Sequence, residues 1–219
     1  ITMNALDEKV RDAITASYAL PDLETALQQV MYNAIDAHAK SIKLSVDIAS
    51  ASFTAVDDGD GIQPDDLYQY IGEYFASSKF WESTNDWSEC RHQKSYGSRG
   101  AFLYELISLA TTVEIESRVP EHWTSYRKVF EEGEVVFNAR SKEIRRTPGT
   151  NVCVSNLFGK LPVRREDLSR NMKHRNRVIQ KIRNFCVSMS MIWPSLSIDV
   201  RFQGTYDLFG LNTSVDVLS

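Results

Sequence analysis

The sequence predicts an α+β two-layer sandwich, with helices on one face of a mostly antiparallel sheet. Three observations predict it. Period-two alternation marks strands, as in Ile42, Leu44, Val46 and Ile48, or Leu196, Ile198, Val200 and Phe202. Helical spacing marks segments at the start, middle and end of the chain, not after every strand. Most strand-like runs follow one another through short connections, which favours an antiparallel meander over a doubly wound parallel sheet.

Each element has its own signal. Leu6, Val10 and Ile14, spaced by four, predict a helix over 4–17. Asp22 is placed to cap a second helix running to about Ala39, with Leu23, Leu27, Val30, Met31, Ala34 and Ile35 inward. Two strands follow, the second over 51–56, with a turn at 49–51. Pro64 suits a first helical turn, and Leu67, Tyr70, Ile71 and Tyr74 continue that helix. Residues 76–99 lack periodicity, and so long a loop in a compact domain is functional or disordered. A short apolar helix is expected over 101–110, then strands over 112–118, 123–130, 135–139 and 149–157. One long basic helix is expected over 166–190, stopped by Pro194, before a last strand. Residues 1–203 read as one domain, and 204–219 as its end or the start of a second subdomain.

Composition narrows the function classes. The chain has 219 residues, 42% hydrophobic, with net charge −4, which allows a substantial core. No run of 18 apolar residues exists, so no membrane partner is expected. No charged-then-apolar leader is visible, and the chain opens at Ile1, as a cut fragment does. Cys90, Cys153 and Cys186 match no zinc spacing and read as reduced thiols of an intracellular protein. Charge is uneven: residues 1–100 hold 16 Asp+Glu against 8 Lys+Arg, whereas residues 140–183 hold 3 against 13. A basic block of that density fits either a polyanion partner or a solvated helix face.

Four segments carry candidate chemistry. Gln29, Asn33 and Asp36 fall on one face of the second helix, in an otherwise apolar stretch. An unpaired buried polar group costs about 1–3 kcal/mol, so this stripe faces a ligand or is satisfied internally. The Asn33 side-chain oxygen suits a hard cation such as Mg²⁺. Asp57 ends a strand at Asp57-Asp58-Gly59-Asp60-Gly61, where a carboxylate can accept a hydrogen bond from an exocyclic amine; ordinary turn chemistry or a calcium loop gives the same cluster. Gly97-Ser98-Arg99-Gly100 opens a helix, whose free amides bind phosphate, with Lys79 and Lys94 nearby in sequence. Thr150, in Gly149-Thr150, can bond a ligand or a water.

In this order and spacing the segments resemble the GHKL ATPases, the superfamily of DNA gyrase B, the large heat-shock chaperones, histidine kinases and MutL. Within it, Tyr74 to Lys79, Tyr96 to Leu103, Gly149 to Phe158 and Leu161-Pro162-Val163-Arg164-Arg165 resemble MutL motifs, most of all those of the third eukaryotic MutL homologue. The resemblance implies the GHKL (Bergerat) sandwich and ATP with Mg²⁺ as ligands. Asn33 would carry the metal. Asp57 would read the adenine amino group, with Gly61 and Thr150 lining the base pocket. Lys79 and the Gly97, Ser98, Arg99 and Gly100 segment would hold the phosphates, and residues 76–99 would form a lid. It further implies nuclear mismatch repair and meiotic recombination, ATP-dependent dimerisation with another MutL homologue, and DNA binding. Arg164, Arg165, Arg170, Lys173, Arg175 and Arg177 are the candidates for backbone phosphates, without base readout.

One departure bears on the chemistry. The family's general base is a Glu at the position of Gln29. A neutral amide is far too weak a base to activate water, and losing such a group slows a reaction by about 10²–10⁴. Gln has nearly the shape of Glu, so the expectation is retained binding with impaired hydrolysis. A nucleotide-gated dimerisation and DNA-binding module without turnover is the alternative. Asp58, Ser98, Ala101, Phe102 and Lys160 also differ from the family pattern.

Overall fold

The computed structural model describes residues 7–74, 100–203 and 214–217. Its helices are α1 (Glu8–Ala19), α2 (Leu23–Asp36), α3 (Pro64–Gln69), α4 (Phe102–Leu109), α5 (Pro162–Arg170) and α6 (Met172–Ile192). Its strands are β1 (Ser41–Asp47), β2 (Ser52–Asp57), β3 (Thr112–Arg118), β4 (Tyr126–Glu131), β5 (Glu134–Arg140), β6 (Gly149–Ser155), β7 (Ser197–Phe202) and β8 (Ser214–Val217). The strands form one sheet in the order β5-β4-β3-β6-β2-β1-β7-β8. Every neighbouring pair is antiparallel except β1 with β7. This is the α+β sandwich that the sequence predicts.

Alternation decides which face is covered. Ile42, Leu44 and Val46 of β1, Phe53 and Ala55 of β2, Val113 and Ile115 of β3, Val152 and Val154 of β6, and Ile198, Val200 and Phe202 of β7 are all buried. They join one cluster with Leu23, Leu27 and Met31 of α2, Leu106 and Leu109 of α4, and Val178, Ile182 and Met189 of α6. Burying each such side chain contributes on the order of 1.5–3 kcal/mol. The residues between them in the strands, such as Thr54, Glu114, Glu116 and Arg127, are polar and only partly covered.

Capping fixes the helix that matters most for the site. The Asp22 carboxylate accepts from Thr25 N–H at 2.8 Å and from Thr25 Oγ1 at 2.6 Å, which starts α2 where the sequence places it. Elsewhere the boundaries shift. The expected basic helix over 166–190 is two helices: Asn171, at φ −96 and ψ 94, breaks the run and caps α6 by accepting from His174 N–H. The helix from Pro64 stops at Gln69, short of Tyr74: the chain turns at Gly72, with φ +99, and the carbonyls of Tyr68 and Ile71 accept from Lys128 Nζ. β8 has no counterpart in the sequence reading. It lies within 204–219 and extends the sheet beside β7. No helix of the described residues is long and apolar enough to cross a membrane.

Candidate functional site

The inward face of the sheet turns polar at one end. Continuing the buried rows by one step puts Asp57 after Ala55, Thr150 before Val152 and Ser117 after Ile115. Val56 pairs with Asn151 and Ser117 pairs with Thr150, so these three residues stand side by side across β2, β6 and β3. Hydrogen bonds lock them. Asp57 Oδ1 accepts from the Gly59 N–H at 2.9 Å and the Thr150 N–H at 3.0 Å. Among the described residues Oδ2 has no partner. Ser117 is fully buried; its Oγ accepts from Ile62 N–H at 2.8 Å and donates to the Gly149 carbonyl at 3.1 Å. With that proton committed, the Thr150 hydroxyl, 3.1 Å away, donates to Ser117.

Two glycines permit this arrangement. Gly61 has φ +77, and a Cβ there would lie 2.3 Å from the Arg118 carbonyl oxygen. Gly149 has φ +119, and its Cβ would lie 2.2 Å from the Asp57 carbonyl oxygen. Only glycine tolerates both the left-handed backbone and the close approach. Burial raises the pKa of Asp57; the Gly59 and Thr150 amides and the Arg145 charge oppose that rise, and Asp58 adds to it.

The polar stripe of α2 approaches the same end. The Asp60 N–H donates to the carbonyl of Ala37, just past α2, at 2.8 Å, which ties the loop after β2 to the helix. Asn33 lies one turn earlier, half-buried, and its side chain makes no hydrogen bond among the described residues. Asp36 is half-buried on the same face. Gln29 sits a further turn back, and its Oε1 is buried with no partner among the described residues. Asp58, in contrast, is committed to structure: its Oδ1 accepts from the N–H groups of Lys40 and Ser41 at 2.8 and 2.7 Å, which holds the start of β1.

Other candidates fall elsewhere. Gly100, at φ +82, leads into α4, whose N-cap Ala101 supplies no side-chain acceptor, so the first amides of that helix have no capping side chain. Lys79, Lys94, Gly97, Ser98 and Arg99, and the whole 76–99 segment, lie outside the described residues. Of the basic candidates, Arg165, Arg170, Lys173 and Arg177 are exposed on α5 and α6. Arg170 pairs with Glu166 at 3.1 Å. Arg164 turns inward, donating to the Ser17 carbonyl at 3.1 Å, and Arg175 turns toward Met172. A shallow hollow of about 640 Å³ between α5 and the start of α6 is lined by Val163, Asp167, Arg170 and Lys173, away from Asp57.

Sequence reasoning missed Ser117, Arg118 and Arg145. For Ser117 a signal existed, a polar residue closing the alternation Val113, Ile115, Ser117. Arg118 and Arg145 act through backbone carbonyls 27 and 88 residues away in the chain, which leaves no local pattern.

The structure is thus a one-sided sandwich with a recessed carboxylate at a strand end, glycine turns beside it and the polar stripe of α2 at the same end. Residues 21–150 match the family described as histidine kinase-, DNA gyrase B-, and HSP90-like ATPase, and the chain belongs to that family. Within it, the likeness is to MutL-type mismatch-repair proteins. The chain is 26% identical over 199 residues to DNA mismatch repair protein Mlh3 of Homo sapiens, covering 91% of this chain and 13% of the relative. It is 28% identical over 219 residues to MLH3 of Arabidopsis thaliana, covering 100% and 18%. To MutL of Trichormus variabilis it is 32% identical over 187 residues, covering 83% and 31%. The chain therefore spans less than a third of the length of these three relatives. Among solved structures, the ATPase domain of Aquifex aeolicus MutL complexed with ADP has the same fold, with a TM-score of 0.62 and 18% identity, covering 90% of this chain and 64% of that one.

Proposed function

We propose that the chain is the ATP-binding domain of a nuclear MutL-type protein of mismatch repair and meiotic recombination, and that it binds ATP with Mg²⁺ but hydrolyses it slowly. The observation that carries this reading is the Asp57 carboxylate. One oxygen is fully engaged by backbone amides, and the other is left for an exocyclic amine beside Gly61 and Thr150. The ADP complex of the Aquifex relative supports the ligand class.

The donor set fits a magnesium–nucleotide pair. No group of three His, Cys, Asp or Glu that could cage a metal occurs among the described residues. The Asn33 side-chain oxygen would hold the cation, in keeping with the usual preference of Mg²⁺ for one or two protein oxygens alongside phosphate and water. When bound, Mg²⁺ supplies charge neutralisation to the phosphates. Gln29, with its buried unpartnered oxygen, can orient a water by accepting a hydrogen bond but cannot take its proton. That favours a nucleotide-gated switch with little turnover. By the family resemblance, residues 76–99 close over the nucleotide, the domain then dimerises with another MutL homologue, and the exposed Arg165, Arg170, Lys173 and Arg177 face DNA phosphates.

Calorimetric titration with adenylyl imidodiphosphate and Mg²⁺ tests the reading. One saturable site that Asp57→Asn abolishes is expected. No heat from a folded sample overturns it.

A further inference from the structure

The end of β2 rests on two arginines. Arg145 lies in the connection between β5 and β6, and its Nη2 donates to the main-chain carbonyl of Asp57 at 2.7 Å. Its own backbone is held from two sides. The N–H donates to Oγ of the fully buried Ser125 at 2.8 Å, and the carbonyl accepts from Arg118 Nη1 at 2.6 Å. Arg118 also donates to the Arg146 carbonyl at 3.0 Å, with the Trp123 ring over its guanidinium at 5.3 Å.

This arrangement is costly for stability. Neither guanidinium has a carboxylate in ion-pair contact among the described residues, and the Nε of each is buried without a partner there. Burial lowers the Arg145 pKa, with the charges of Asp57 and Glu116 opposing. Cations buried without close counter-ions rarely strengthen a fold. What these two do is fix the position of one carbonyl. That carbonyl belongs to the residue whose side chain the Gly59 and Thr150 amides aim, and it already lies so near Gly149 that a Cβ there would sit 2.2 Å away.

We infer that Arg145, held by Arg118, is a positioning residue for base selectivity: it sets the end of β2 so that Asp57 Oδ2 meets the 6-amino group of a purine. The inference rests on the reading of Asp57 as the adenine contact. Arg145 does not touch the nucleotide. Its loss lets the strand end drift, and the hydrogen bond that distinguishes an amino-purine from an unsubstituted purine weakens.

The test compares ATP with purine riboside triphosphate, which lacks the 6-amino group, in titrations with Mg²⁺. The wild-type chain is expected to prefer ATP by roughly ten-fold or more, the worth of one hydrogen bond to a charged acceptor. In Arg145→Gln the ratio falls to within about two-fold, with triphosphate binding retained; Arg145→Lys, which keeps a cationic donor, restores part of it. A general loss of stability would weaken both ligands alike and leave the ratio unchanged, so thermal melts are run alongside. Should Arg145→Gln fail to fold, Arg145→Lys and Arg118→Lys carry the comparison. A wild-type ratio that persists in the folded variants overturns the inference and leaves the nucleotide site standing. A wild-type chain that binds neither triphosphate overturns the functional reading itself.

Discussion

Gly149 and Asp57 touch across neighbouring strands so closely that the space for a Cβ on one is filled by the carbonyl of the other. The Cβ position at Gly149 lies 2.2 Å from Asp57 O and 2.8 Å from the Cα of Asp58, at a φ of +119. Backbone atoms cannot step aside as a flexible side chain can. Gly149→Ala should therefore destabilise the protein by about 2–4 kcal/mol, combining strain at a special φ with overpacking. Urea unfolding measures it. A change below about 0.5 kcal/mol, the range of an ordinary surface substitution, refutes the close approach.

Asp57 links stability to pH in a direction opposite to most carboxylates. Its pKa is raised above the ordinary 3.8, with burial the largest cause. The unfolded chain thus ionises first as pH rises, and the ligand-free fold loses stability from about that ordinary value up to the raised one, then no further. Asp57→Asn should raise the melting temperature at pH 7, with the advantage vanishing below the ordinary carboxylate range. The same change should abolish nucleotide binding. A variant less stable than wild type at neutral pH would contradict the burial argument.

At Gln29 the geometry favours gain of function. Among the described residues its buried Oε1 has no partner, and the family resemblance implies the general base at this position. Gln29→Glu should raise phosphate release by about 10²-fold or more while leaving nucleotide affinity within a few-fold. Phosphate release with ATP and Mg²⁺ reads it directly. An unchanged rate in a variant that still binds ATP would show that water activation is not the missing step.

The two neighbouring arginines of the Leu-Pro-Val-Arg-Arg segment should behave differently. Arg164 donates to the carbonyls of Ser17 and Leu20 at the end of α1 and stacks 5.8 Å from the Phe158 ring, so it staples α1 to the sheet layer. Arg165 is exposed. Arg164→Ala should cost about 1–3 kcal/mol of stability. Arg165→Ala should leave stability within about 0.5 kcal/mol and lower the slope of log affinity for DNA against log salt by about one. DNA affinity independent of salt would remove the basis for a phosphate interface.

How much of this was legible in the sequence follows from how local each cause is. The α2 stripe was readable because helical spacing puts Gln29, Asn33 and Asp36 on one face whatever else the chain does. The strands were readable wherever alternation ran clean, as in Ile42 to Val46, and blurred at Trp123, where the expected strand begins only at Tyr126. The break at Asn171 was hidden because basic residues continue through it with helical composition, and the cap is visible only once His174 N–H is seen to donate there. The carbonyls left free past the end of α3 are satisfied by Lys128, about sixty residues away in sequence, which no local pattern shows. Asp57 could be named as a candidate but not distinguished from a turn residue, since its environment is made by Gly149, Thr150 and Arg145, 88 or more residues further along the chain.

Ser117 gives the last test, because it joins the two halves of the proposed base pocket. It accepts from Ile62 N–H, next to the Gly61 turn, and donates to the Gly149 carbonyl, next to Thr150. Removing the hydroxyl leaves a buried donor and a buried acceptor without their partner, at about 1–3 kcal/mol. The turn that carries Gly61 and the strand that carries Thr150 then lose their common tether. Ser117→Ala should therefore weaken nucleotide binding several-fold beyond what its stability loss explains. In contrast, Ser125→Ala, which frees the Arg145 N–H but leaves this tether intact, should affect binding less for a similar stability cost. Equal binding losses in the two variants would mean that general loosening, not the Ser117 tether, sets the pocket.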